Sequence, residues 1–226
     1  MLRLYDHRTG QAEELPRVLR ICVLNGAGHR ALIVADLLQR VADRGGRRSR
    51  VTSSPYFAAT DTAWEDYGIR PFAVLDPDEP TPDADIYVCP EGAAGPTEGH
   101  RLDVLHETGH WHAAKDSLAV RLAILGTHYR DRLHLTPETH IKAAERLNAW
   151  RHQVAEWAKS PGRPMDRSYA AKAEEALAND LDAPEALAVL DRLVDDPDLA
   201  PGAKLETFIH LDMLLGLNLE ALIGRV

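Results

Sequence analysis

Cationic side chains are in short supply in this chain, and proteins that grip phosphate backbones depend on them. Lysine and arginine together number 26 against 35 aspartates and glutamates, for a formal net charge of -9. Broad nucleic-acid binding needs a basic face, and the acidic stretches 76–85 and 191–198 argue against one. The densest basic cluster is Arg44, Arg47, Arg48 and Arg50, beside Gly45-Gly46. It reads first as a solvated loop and second as a phosphate or RNA contact. Cysteine is scarcer still: Cys22 and Cys89 stand far apart, so no disulfide framework is expected. No run of eighteen apolar residues exists, so the sequence predicts no membrane-spanning helix. The opening residues, Met1 to Asp6, lack a signal peptide's apolar stretch, which leaves the cytoplasm as the expected compartment. No internal repeat is visible. What is present is a chain of 226 residues that is 45% apolar, enough to bury a real core in one large domain or two small ones.

Residues 18–24 form an apolar run of strand length, and Asn25-Gly26-Ala27-Gly28 follows as a turn. From His29 to Arg44 the apolar residues Leu32, Ile33, Leu37, Leu38 and Val41 fall at helical spacing, and Gly45-Gly46 ends the helix. Strands are expected at 50–53, 71–75 and 85–89. Residues 90–99, with three glycines and two prolines, read as a loop. From Arg101 the character is expected to turn helical. Thr136-Pro137 marks an N-cap, and further helices are expected over 166–181, 184–193 and 204–215, the last closed by Gly216. Trp150 and Trp157, seven apart on one helical face, read as core or interface. The expected fold class is α/β: a Rossmann-like parallel sheet over residues 1–100, then an α-helical bundle region over 101–226.

Several segments resemble cysteinyl-tRNA synthetase, a class I aminoacyl-tRNA synthetase. Leu2 to Asp6 through Thr9 to Leu15 is similar to that family's opening strand and turn. His128-Tyr129-Arg130 with Leu133 and Leu135 is similar to its "HYR-x-x-L" stretch. Asn179 to Leu187 resembles its "DDLNTPEAL" junction, and Lys204 to Phe208 with Leu215 to Leu219 resembles the helix that follows. The matches are collinear along the whole chain. The resemblance implies a shortened, motif-degenerate paralogue, because the catalytic motifs are eroded. The family's "HIGH" motif, which holds ATP phosphates, corresponds to Gly26-Ala27-Gly28-His29, with Gly26 in place of the first histidine. Its lysine-bearing "KMSKS" loop has only a faint echo at Lys115-Asp116-Ser117. Each missing donor in such a site costs about 10²–10³ in rate. The resemblance also implies zinc, with Cys22 at the place of the first ligand and Cys89 as a substitute for another. Both cysteines read equally as small buried residues. The family's "HHENE" ligands and its anticodon-reading domain have no counterpart here. Tyr56, Thr60 and Asp61 fall where the family has "ITDVDDK", and Trp64 and Tyr67 could line a pocket over the first strands or pack under a loop.

One competing motif stands apart. His106-Glu107-Thr108-Gly109-His110 matches H-E-x-x-H, in which two histidines one helical turn apart bind zinc and the glutamate activates water. That chemistry needs an unbroken helix, and Gly109 costs about 1 kcal/mol inside one. The alternative is a helix end with His110 and His112 near its dipole.

The expected function is a synthetase-like protein repurposed to bind or ligate an amino acid or adenylate-like small molecule rather than to charge tRNA. A non-catalytic binding or subunit protein is the alternative, with a homo-oligomer or a protein partner, and a zinc hydrolase comes third. The expected ligand loop is Asn25, Gly26, Gly28 and His29. Candidate catalytic groups are His29, Arg30 and Arg101; candidate metal ligands are Cys22 and Cys89, or else His106 and His110. ATP, an adenylate and zinc all stay open as cofactors.

Overall fold

The computed structural model describes residues 1–26, 28–53, 64–76, 78–93, 96, 98–109 and 116–225. Tyr56, Thr60, Asp61, His110, His112 and Lys115 lie outside the described residues. The chain opens with an antiparallel hairpin of β1 (Arg3–Asp6) and β2 (Gln11–Glu14). β3 (Val18–Val23) then leads through the Asn25-Gly26 turn into α1 (His29–Arg44), the helix its apolar spacing predicts. β4 (Arg48–Ser53), β5 (Ala73–Val74), β6 (Ile86–Pro90) and β7 (His100–Val104) complete a five-stranded parallel sheet in the order β5-β4-β3-β6-β7. This is the expected Rossmann-like α/β layer. The chain steps outward from β3 to β4 and β5, then returns to the other side of β3 for β6 and β7. The strand order therefore reverses between β3 and β6, the position where open α/β sheets place their ligand crevice.

The stretch after Arg101 departs from the expected helix. Residues 100–104 alternate buried and half-buried and pair with β6, so they form the sheet edge. A short strand β8 (Glu107–Gly109) follows and pairs in parallel with β9 (Leu133–Leu135). The helical reading missed a period of two in a segment only five residues long. Helix begins at α2 (Ser117–Leu125), where the Asp116 side chain accepts from the Leu118 and Ala119 amides. Then come α3 (Pro137–Trp157), capped by Thr136, α4 (Arg167–Ala178), α5 (Ala183–Asp195) and α6 (Pro201–Leu215). Gly216 closes α6 in the left-handed region, at φ 65°. No described helix is long and apolar enough to cross a membrane.

One hydrophobic core runs from the hairpin through α1 and the sheet into the helices. Trp150 and Trp157 are buried and meet Phe208 edge-on, at ring-centroid distances of 6.0 and 5.1 Å. A polar knot crosses this core. Asp36 of α1, fully buried, accepts from Arg40 Nε at 2.8 Å, from an Arg121 terminal nitrogen at 2.6 Å and from the Arg70 amide at 3.0 Å. Arg121 also donates to the carbonyls of Leu215 and Tyr67. α1, α2, the end of α6 and the 3-10 turn at Trp64–Tyr67 are thereby held together.

A second knot joins three of the segments that carried the family resemblance. Asp180, in the turn between α4 and α5 at φ 59°, accepts from the Tyr5 amide and the Tyr129 hydroxyl and forms an ion pair with Arg130. Its own amide donates to the Arg3 carbonyl. Arg130 lies 4.4 Å above the Tyr5 ring. The His128-Tyr129-Arg130 motif therefore fastens the first strand to the helical region.

Candidate functional site

β3 and β6 end side by side, and their C-terminal ends form a rim. Leu24 continues the pairing by donating to the Val88 carbonyl, and the chain then turns at Gly26, φ 82°. A Cβ on Gly26 would stand 3.8 Å from the Pro90 ring, so the two strand ends nearly touch. α1 starts at once, with Gly28 as an N-cap that offers no side-chain acceptor. The first amides of α1 are thus open to an external anion, the arrangement that binds phosphate in many α/β proteins.

A carboxylate of the chain itself takes that place. Glu107, on β8, accepts from the Arg30 amide at 3.4 Å and sits 3.6 Å from His29 Nδ1. Its oxygens would lie 3.1 and 3.2 Å from a Cβ on Gly28, and His106 Nδ1 would lie 3.0 Å from it, so a side chain there would push both back by a few tenths of an ångström. Burial pushes the Glu107 pKa up. The hydrogen bond and charge of His29, together with the Glu107 and Arg30 amides, outweigh burial and hold it below the ordinary carboxylate value. Glu107 is ionised and acts as a built-in counter-charge for the helix N-terminus. The His29 ring in turn packs against Trp64 and Tyr67, with centroids 5.1 and 6.1 Å away. Both aromatics line the rim beside His29.

The other expected site residues are placed as follows. Asn25, Gly26, Gly28 and His29 lie together on the rim. Arg30 points away from it, fully buried, and donates to four carbonyls, those of Leu105, Thr127, His128 and Asp131. Its guanidinium stitches the β7–β8 turn to the segment before β9. Arg101 donates to Asp103 at 2.6 Å and to the Ala93 carbonyl at 2.7 Å. Both cations are thus already engaged inside the protein. Cys22 and Cys89 sit on neighbouring strands in a small apolar cluster with Ala84 and Tyr87. Burial pushes both thiols up to about 11, which opposes the thiolate form a metal needs. The helix that H-E-x-x-H chemistry requires is absent at His106–Gly109. Glu107 to Gly109 is extended, Gly109 adopts φ 106°, and a Cβ there would collide with the Leu135 carbonyl. Glu107 therefore faces α1 instead of standing between two histidines one turn apart. The sequence flagged Glu107 through that motif; its role at α1 has no local signal.

No family model matches the chain. It is 39% identical over 120 residues to cysteine–tRNA ligase 1 of Burkholderia lata, covering 53% of this chain and 24% of that protein. It is 38% identical over 107 residues to the L-cysteine:1D-myo-inositol 2-amino-2-deoxy-alpha-D-glucopyranoside ligase of Thermobispora bispora, covering 46% of this chain and 25% of that protein. The ligase of the same description from Kytococcus sedentarius is 41% identical over 90 residues, 37% of this chain and 20% of the relative. The chain is homologous to the cysteine ligases of the class I synthetase family. Its match spans about a quarter of the length of these relatives or less. The rim at the ends of β3 and β6 is the part of this ligase-like scaffold where the turn, the helix start and Glu107 converge.

Proposed function

We propose that this cysteine-ligase-like chain binds an amino acid or another small amine-bearing ligand at the β3/β6 rim, without adenylating it and without charging tRNA. The observation that carries this reading is the Glu107 carboxylate at the N-terminus of α1. A nucleotide phosphate placed there meets a buried negative charge, whereas a ligand ammonium meets a counter-ion. The two cations suspected of replacing lost phosphate donors, Arg30 and Arg101, are engaged with carbonyls and with Asp103. The low basic content supports weak tRNA affinity. Within the basic cluster, Arg44 pairs with Glu174 and Arg47 approaches Glu14, which reduces its attraction for phosphate.

The test has two parts. ATP–pyrophosphate exchange with cysteine, then with every other amino acid, is expected to stay at background. Calorimetric titration with the same amino acids is expected to find a binder whose affinity falls about 10–100-fold in Glu107→Gln, the loss of one charge-assisted hydrogen bond. Brisk exchange with cysteine overturns the reading. Exchange with a different acid would favour a repurposed ligase, a second reading supported by the surviving Gly28-His29 pair at the start of α1. His29→Ala should then abolish that exchange.

A further inference from the structure

At the opposite end of the sheet from the rim, three potential ligand groups converge. A ring nitrogen of His100 and one carboxylate oxygen each from Asp6 and Glu13 lie within 4.8 Å of one another. They come from three strands. Asp6 ends β1, Glu13 lies on β2 and His100 opens β7. Asp6 is fully buried and His100 is 7% exposed. Asp6 accepts from the Arg8 and Arg101 amides. The His100 ring hydrogen-bonds the Tyr5 backbone, and its buried Nε2 has no hydrogen-bond partner among the described residues.

A buried nitrogen with no hydrogen-bond partner, beside a buried carboxylate, is costly as it stands. The groups lie within 4.8 Å of one another, close enough for small side-chain rotations to bring them onto one ion. Donors that share one zinc ion, each about 2.0–2.2 Å from it, stand up to about 4 Å apart. Glu13 accepts from the Thr9 hydroxyl on one oxygen, which orients the carboxylate. On the outer side lies a crevice of about 440 Å³ whose lining includes Glu13, Glu14, Asp83, Glu98 and His100, with Arg8 and an Arg20–Asp85 pair on its rim, so acids still outnumber cations there. It admits water to complete the coordination, and its acidic walls attract a cation. We propose that Asp6, Glu13 and His100 form a structural divalent-metal site of the zinc-binding class that clamps the β1–β2 hairpin to β7. The ion would replace the Arg8 contact to Asp6, made by a side chain that is 44% exposed and can swing away.

The experiment is zinc titration of the purified, chelator-treated chain by calorimetry, with thermal melts in parallel. Wild type is expected to take one ion and to melt higher as zinc is added, by mass action. Glu13→Gln, at a half-exposed position, should keep the fold by circular dichroism yet weaken zinc more than about 10-fold. His100→Gln should do the same. A Cys22→Ser/Cys89→Ser double variant should bind as wild type does. Cobalt(II) in place of zinc should give ligand-field bands without a thiolate charge-transfer band. Absence of zinc binding by wild type overturns the proposal, as does unchanged affinity in Glu13→Gln or loss of binding in the cysteine variant.

Discussion

Asp36 and Arg121 show how much of the stability of this protein rests on single side chains. Both are fully buried, and each satisfies the other's charge. Asp36→Asn keeps the shape but leaves Arg121 without its counter-charge, which typically costs about 3–5 kcal/mol. Urea unfolding should therefore show a lower midpoint with an unchanged slope. A loss under about 1 kcal/mol would mean that water or another acid takes over. Burial raises the Asp36 pKa, but Arg121 and Arg40 outweigh burial and hold it below 3.8. Its contribution is therefore complete above the unfolded value and fades as pH falls through the lower, folded one. None of this was legible in the sequence. Asp36 and Arg121 sit mid-helix, 85 positions apart, with nothing local to mark either as buried. The turn that brings Gly26, Gly28 and His29 together was legible, because they are neighbours in sequence. Asp6, Glu13 and His100 were not, since only strand pairing brings them together.

At the level of elements, legibility followed the length of the periodic signal. Sixteen residues of α1 carry enough helical spacing to fix both its ends. β8 has three residues and takes its conformation from β9, so the motif at 106–110 suggested a helix that tertiary pairing overrules. Gly109 is the hinge of that outcome. Gly109→Ala places a Cβ against the Leu135 carbonyl at a φ of 106°, where a side chain is strained whatever the space. The β8–β9 pair should open, and Glu107 should lose its fixed approach to α1. Hydrogen exchange should accelerate at 107–109 and 133–135 while α3 to α6 stay protected. Unchanged exchange there would show that β8 does not hold Glu107 in place.

Across the whole molecule, an excess of negative charge makes the pH response informative. Asp212 is buried near the end of α6 and accepts from the Leu217 and Leu219 amides. Burial outweighs those bonds and pushes its pKa up to about 6. The folded state thus holds this proton more tightly than the unfolded chain does. The associated stability is complete below the unfolded value of 3.8 and is lost as pH rises towards about 6. Between pH 7 and 5 the wild type should gain stability relative to Asp212→Asn by about 1.3 kcal/mol. Parallel stability–pH curves for the two proteins would refute that origin. The Asp36 effect lies at lower pH and has the opposite sign, so the two can be separated in one titration.

The knot at Asp180 also bears on how the chain is made. Tyr5 donates its amide to a residue 175 positions later. At about 5–20 residues per second of synthesis, the first strand waits roughly 10–35 s before its fastener leaves the ribosome. Until then β1 is held by β2, the sheet edge and, once made, Arg130 over the Tyr5 ring, and contacts of such long sequence separation form late in folding. A nascent chain must keep its amino-terminal hairpin soluble through that interval, and the acidic Glu13-Glu14 pair at the end of β2 helps it do so.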